Sequence, residues 1–329
     1  MLNFFKHSNI SQQIVIVIIA LVLWLPAFIT KSAFIPGEYN TPLYNGIVSL
    51  LDFAPFLLNL LAFIVYLLSV FLFNSVLSAN RLVSKHSTVG ALCFVTMMCC
   101  SPELHSCYPF IFACPFILMA IHTLFLIYQT DAPENYMMNI GYFIGIASLF
   151  YYPSAFLILW VMLSFLVFRF KEMRFVLIPV VGFLIVNALL LGLSFMFGQY
   201  DMLIDSYSCF FRNIRFSLEL SYSNKILLIV SGILFMISLM RTVGGGNSDK
   251  GTNVKKRVGV SFLLTIFAVV IFFIKKPLMN NALIFMMFAL FYSIMLSDIK
   301  KSRLANVIVI VFLIFVIVNQ YFPVFGINI

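Results

Sequence analysis

"NIGYFIGIASLFYYPSAFLILWVMLSFLVF", Asn139 to Phe168, decides the fold, because the number of times it crosses a membrane sets the side of every later loop. As one helix it would be about 45 Å long, too long for one perpendicular passage through a hydrocarbon core of about 30 Å. Two passages would have to be short. Pro153, just after the Tyr151-Tyr152 pair, supplies a break, because proline cannot continue the hydrogen-bond ladder and the aromatics suit an interface. Charge decides between the readings. With two helices here and a cytoplasmic N-terminus, 14 of the 20 Lys and Arg lie inside and 6 outside. With one helix the split becomes 8 inside and 12 outside, against the positive-inside bias. The broken pair is therefore expected, with an extracytoplasmic C-terminus.

Working outward, the rest of the chain has the same character. Of 329 residues 63% are apolar and 9% charged, and the mean hydropathy is +1.10, which excludes a water-soluble globular domain. Continuous runs of roughly 17–25 apolar residues indicate helices, whereas a barrel would show segments of about 10 alternating residues. The expected architecture is all-α: a polytopic transmembrane bundle over residues 1–329, with about 11 spans. They fall near 14–30, 53–74, 87–101, 109–128, 139–150, 153–168, 175–197, 225–241, 258–274, 278–297 and 304–320. The first, which follows Lys6, reads as a retained span, since no small-x-small cleavage site follows it. The formal charge of +9 sits in short interhelical loops, so membrane lipids are the expected partner and nucleic acid is not. No organellar targeting signal is evident, and the size is compact. A bacterial inner membrane is expected.

Three loops stand out. Residues 241–257, "RTVGGGNSDKGTNVKKR", lack a phosphate-cradling motif and read as a flexible basic cytoplasmic linker near anionic headgroups. Residues 198–224 form a long extracytoplasmic loop with Arg212 and Arg215. Residues 31–52 form the first extracytoplasmic loop. Within it Leu43, Ile47, Leu50 and Leu51 suggest an interfacial helix, and Pro36-Gly37 and Thr41-Pro42 bracket a turn presenting Glu38. A carboxylate beside a membrane surface can serve as a base. Glu38 is equally readable as a solvated loop acid, and Asp52 as a helix-start charge. On the outer face Lys275 and Lys276 occupy a tight turn where they could meet a lipid phosphate or merely snorkel to headgroups.

The cluster "CCSPELHSC", Cys99 to Cys107, holds Glu103 but lacks metal-ligand spacing, so no metal and no cofactor is expected. Cys107 and Cys209 could pair outside or remain thiols. His122 on an apolar span reads as a hydrogen-bonded packing residue, with a proton relay as the other reading.

Gly141, Gly145, Ala147 and Leu149, the basic turn from Arg169 to Arg174 and then Gly182-Phe183 give the chain a resemblance to the C-type glycosyltransferases. These multi-pass enzymes move sugars from polyprenyl-phosphate carriers on the outer face of a membrane. The small residues also have a plain explanation, since G-x-x-x-G lets two helices approach. The resemblance implies an acid in the first outer loop, which Glu38 would supply by taking the acceptor's hydroxyl proton. Arg212, Arg215, Lys275 or Lys276 would bind the carrier phosphate, with Asp52 and Glu103 as secondary acids. The large extracytoplasmic C-terminal domain of many members is not expected in residues 1–329. A non-catalytic subunit or scaffold in envelope assembly, with an envelope protein as partner, is the second reading, and a secondary transporter the third. The chain also looks like uncharacterised bacterial multi-pass proteins.

Overall fold

In a computed structural model, residues 2–6, 9–29, 41–51, 53–100, 107–127, 133–168, 173–198, 200–201, 203–204, 207–208, 222–244, 252–273, 277–299 and 302–321 are described. A short α1, Leu2–Phe5, precedes α2, Ile10–Ile29. Next come α3, Pro42–Leu51, α4, Pro55–Ala79, and α5, Val89–Met98. They are followed by α6, Pro109–Ile127, and α7, Glu134–Phe150. A 3-10 turn, Tyr152–Phe156, leads into α8, Leu157–Phe168, and then α9, Met173–Met196. The last four are α10, Tyr222–Gly244, α11, Thr252–Phe272, α12, Pro277–Asp298, and α13, Ser302–Tyr321.

The described residues contain helices and no strand, and each apolar stretch read from the sequence holds one helix. Ile10–Ile29, Pro55–Ala79, Pro109–Ile127, Arg174–Met196 and Lys225–Thr242 are long and apolar enough to cross a membrane. Their outward faces are apolar too. On α9, Leu184 is 57% and Met196 80% exposed, a surface that hydrocarbon covers and water does not. By contrast α5 is buried on every side, as a helix that is apolar all round must be.

The break falls where Pro153 requires it. Tyr151 is extended, with φ −143° and ψ 96°, and its carbonyl accepts from the Ser154 N–H at 3.0 Å and hydroxyl at 2.8 Å. The direction of the helices on either side follows from their contacts. A Cβ built on Gly141 would meet Pro179 and one on Gly145 would meet Val186, while Glu134 and Arg174, near the two helix starts, lie 3.6 Å apart. Thus α7 and α9 run parallel, and α8 must carry the chain back between them. Both Gly141 and Gly182 stand where the two backbones touch, so the glycines of the G-x-x-x-G stretch serve close helix packing.

The other contacts sort into two ends. At one, the Phe5 carbonyl accepts from Thr88 N–H at 2.8 Å, and Lys6 Nζ donates to Ile299 O at 2.9 Å. Arg257 links the C-terminal ends of α4 and α6 there, donating to Asn80 O at 2.7 Å and Phe125 O at 3.3 Å. At the other end Thr41, Tyr44, Cys107 and Phe150 meet. Pro26 inside α2 cannot bond the Val22 carbonyl four residues back, and the Tyr321 hydroxyl donates to it at 2.9 Å.

Two loops gain detail. Within 241–257, Arg241 to Gly244 finish α10 and α11 begins at Thr252, and 245–251 lie outside the described residues. Arg257, at the basic end, is 3% exposed. α3 buries Tyr44 and Val48 against the bundle, with buried Thr41 just before it, and leaves Leu50 74% exposed, as the apolar face of an interfacial helix would be. The tyrosine has a partner for its hydroxyl inside the bundle, whereas Leu50 gains as much from lipid as from protein.

Candidate functional site

The break at Phe150-Tyr151-Tyr152 is where the flanks of three segments expected on the extracytoplasmic side converge. Thr41, three residues after Glu38, donates from Oγ1 to Phe150 O at 2.9 Å and is fully buried. Phe150 ends α7, and its ring stacks on Phe112 and Phe116 of α6 with centroids 5.9 and 6.0 Å away. Tyr151 meets Phe110 edge-on at 5.5 Å. The next residue, Tyr152, packs on Tyr207 at 4.9 Å, and the Tyr207 hydroxyl donates to Asn187 Oδ1 of α9 at 3.0 Å. One turn along α3 from Thr41, the Tyr44 hydroxyl donates to Cys107 O at 2.8 Å, and its ring contacts Phe112 at 6.2 Å. Packed phenylalanine rings, with Tyr44 and Tyr207 pinned by their bonded hydroxyls, make a rigid platform of this kind.

Among its described residues the hub holds no group that ionises at neutral pH. Burial pushes the Cys107 thiol up to about 12, with the Tyr44 hydroxyl pulling it partly down, and burial also raises the Tyr44 and Tyr207 phenols. Cys107 is a free thiol; Cys209 lies outside the described residues. Glu38, Asp52, Glu103, Arg212, Arg215, Lys275 and Lys276 also lie outside them. The described residues that flank three of them, Thr41, Cys107 and Tyr207, are brought together. Among the described residues no group of three or more His, Cys, Asp or Glu could hold a metal ion.

Sequence reasoning missed a second polar centre at the opposite end. Arg257 lies near the N-terminus of α11, where the helix dipole disfavours a cation. It is held by two carbonyls at the C-terminal ends of α4 and α6, each such end carrying about half a negative charge. A basic residue in the opening turns of a helix, directly before an apolar run, was the available signal. Beside it Asn80 Nδ2 donates to Val76 O at 2.7 Å and faces His122 Nδ1 at 3.0 Å. The Val76 carbonyl fixes the amide orientation, so His122 offers the Nδ1 lone pair and carries its proton on Nε2. His122 is thus a hydrogen-bonded histidine at a helix junction. Asn80 Oδ1, buried, has no hydrogen-bond partner among the described residues. The other mid-helix amides are also engaged: Asn59 donates to Ala27 O at 3.4 Å and Asn187 to Phe183 O at 2.9 Å.

No family model, curated protein or solved structure matches this chain.

Proposed function

We propose that this is an integral membrane protein of eleven crossings, with a cytoplasmic N-terminus and an extracytoplasmic C-terminus. Its outer face transfers a sugar from a polyprenyl-phosphate carrier in a bacterial inner membrane. The observation that carries the reading is the convergence of Thr41, Cys107 and Tyr207 on the Phe150–Tyr152 break. In the sequence Glu38 stands three residues before Thr41, Glu103 four before Cys107 and Arg212 five after Tyr207. An acid and a cation so close in sequence to one hub are what a shared site needs.

In this reading Glu38 takes the proton of the acceptor hydroxyl as the acceptor oxygen bonds to the anomeric carbon. The bond from that carbon to the carrier phosphate breaks with its electron pair on phosphate. Arg212, Arg215, Lys275 or Lys276 neutralises the leaving charge, and a flanking carboxylate steadies the oxocarbenium-like transition state. The test has two parts. Mass spectrometry of lipid extracted from the purified protein should find a polyprenyl phosphate or its glycoside, and Glu38→Gln should abolish transfer from that lipid without lowering expression. Full activity of Glu38→Gln would sink the assignment.

One observation favours a second reading, a non-catalytic subunit of envelope assembly. The glycines that carry the resemblance have a complete structural explanation in the contact of α7 with α9. A purified protein free of polyprenyl lipid, recovered with a stoichiometric envelope protein, would favour that reading.

A further inference from the structure

Between α13 and the body of the bundle lies a cleft with apolar walls, in the half nearer the N-terminal segment. We propose that it holds a hydrocarbon chain of an anionic phospholipid from the leaflet at that end. Its floor can be read from α5. The α5 residues that line it include Cys93, Thr96 and Met97. Those three recur at the spacing of one helix face. Tyr292 and Met295 of α12, with Phe312 of α13, complete the cleft.

α13 is tied to the segment at the C-terminal end of α5 and otherwise to other helices, which leaves a gap beside the interior of α5. Asn319 and Gln320 donate to the Cys100 and Cys99 carbonyls near its C-terminus, and its main helix contacts are with α1 and α2. The polar atoms of the walls are already satisfied. Thr96 Oγ1 donates to Leu92 O at 3.0 Å and Tyr292 OH to Ser231 O at 2.6 Å. Water would find no partners there, and an empty gap would forfeit the contacts of its lining. Hydrocarbon fits, and Ile308 on the rim, 43% exposed, opens the cleft to the bilayer.

The charge at the mouth selects the headgroup. Arg241 is exposed and stands seven residues after Leu234, another wall residue. Two helical turns put both on one face of α10, with Arg241 about 10 Å nearer the headgroup region. Lys6 Nζ sits on Ile299 O, three residues past the wall residue Leu296. Asp298 is the acid at the same helix end, where Ser297 Oγ donates to its carboxylate at 3.3 Å. Among the described residues this sets two cations, Arg241 and Lys6, against Asp298, a balance that suits a lipid phosphate. This cleft is at the opposite end from the Phe150–Tyr152 hub, and the inference does not depend on glycosyl transfer.

The full chain would be reconstituted in vesicles containing phosphatidylglycerol or phosphatidylcholine with a diazirine in one acyl chain, irradiated, and its adducts mapped by mass spectrometry. Adducts are expected on Met97, Met295 and Phe312, about five-fold more with phosphatidylglycerol, as one surface cation contributes. Arg241→Gln should remove that preference. Ile308→Trp, a change on the exposed rim, should suppress the Met97 adducts and leave those on α9 unchanged. Adducts confined to α9 and other outward faces, equal yields from the two lipids, or Met97 labelling untouched by Ile308→Trp would overturn the proposal.

Discussion

Replacing Gly141 by alanine tests the parallel packing of α7 and α9, on which the reversal through α8 rests. A Cβ there would lie 2.1 Å from Pro179 O and 2.9 Å from Phe183 N, where ordinary contact begins at 3.4 Å. The obstacle is backbone, so no rotamer change relieves it and the helices must separate by roughly 1 Å, losing dispersion contacts along the seam. Overpacking of this kind costs about 1–3 kcal/mol, and the rigid wall puts Gly141→Ala at the upper end. Gly145→Ala faces the Val186 side chain at 2.9 Å and should cost about 1 kcal/mol. Gly192→Ala meets nothing within 4 Å and should be neutral or stabilising by up to about 1 kcal/mol through helix propensity. Gly141→Ala with Gly182→Ala should be less than additive, because either change forces the same separation. Thermal unfolding in detergent, followed by the fluorescence of the two tryptophans, gives the ranking. Wild-type stability in Gly141→Ala would refute the backbone contact and with it the direction assigned to α8.

Arg257→Gln should destabilise the protein by about 3 kcal/mol, the loss of two charge-assisted hydrogen bonds, measured by the same unfolding assay; Arg257→Lys should recover part of it. Thr41→Val and Tyr44→Phe should each cost about 1 kcal/mol and, under the proposed function, also lower transfer, because Thr41 and Tyr44 anchor the chain just after Glu38. The Cys107 thiol, pushed up to about 12, should be thiolate in only about one molecule in ten thousand at pH 8. Maleimide should label it in the detergent-unfolded protein and barely in the folded one. The same shift makes its contribution to stability complete below about pH 8.5, the ordinary thiol value, and lost as pH rises toward 12.

The helical class and the helix positions were legible because burial in hydrocarbon demands continuous apolar runs and internally bonded backbone. The Tyr151 break was legible because proline acts locally. Charge counting named the reversal, and the Gly141–Pro179 and Gly145–Val186 contacts agree with it. The orientation of α3 was not legible: a count of apolar residues ranks Leu50 above Tyr44, and only the distant Cys107 carbonyl makes Tyr44 the anchor. Arg257 was misread for a similar reason. A cation in a basic run looks solvated until two helix ends, from residues far away in sequence, are brought to it. Long-range partners of this kind leave no mark in the local pattern.

The most direct test of the outer-face site is labelling of introduced cysteines by a membrane-impermeant maleimide in intact cells. Glu38→Cys, Glu103→Cys, Arg212→Cys and Lys275→Cys are predicted to react without permeabilisation, and Lys85→Cys, Lys250→Cys and Lys300→Cys only after it. Five of the native cysteines, Cys93, Cys99, Cys100, Cys107 and Cys114, are buried, and Cys209 is replaced by serine throughout to keep the background low. Reaction of Glu38→Cys and Arg212→Cys from opposite sides of the membrane would contradict a shared site.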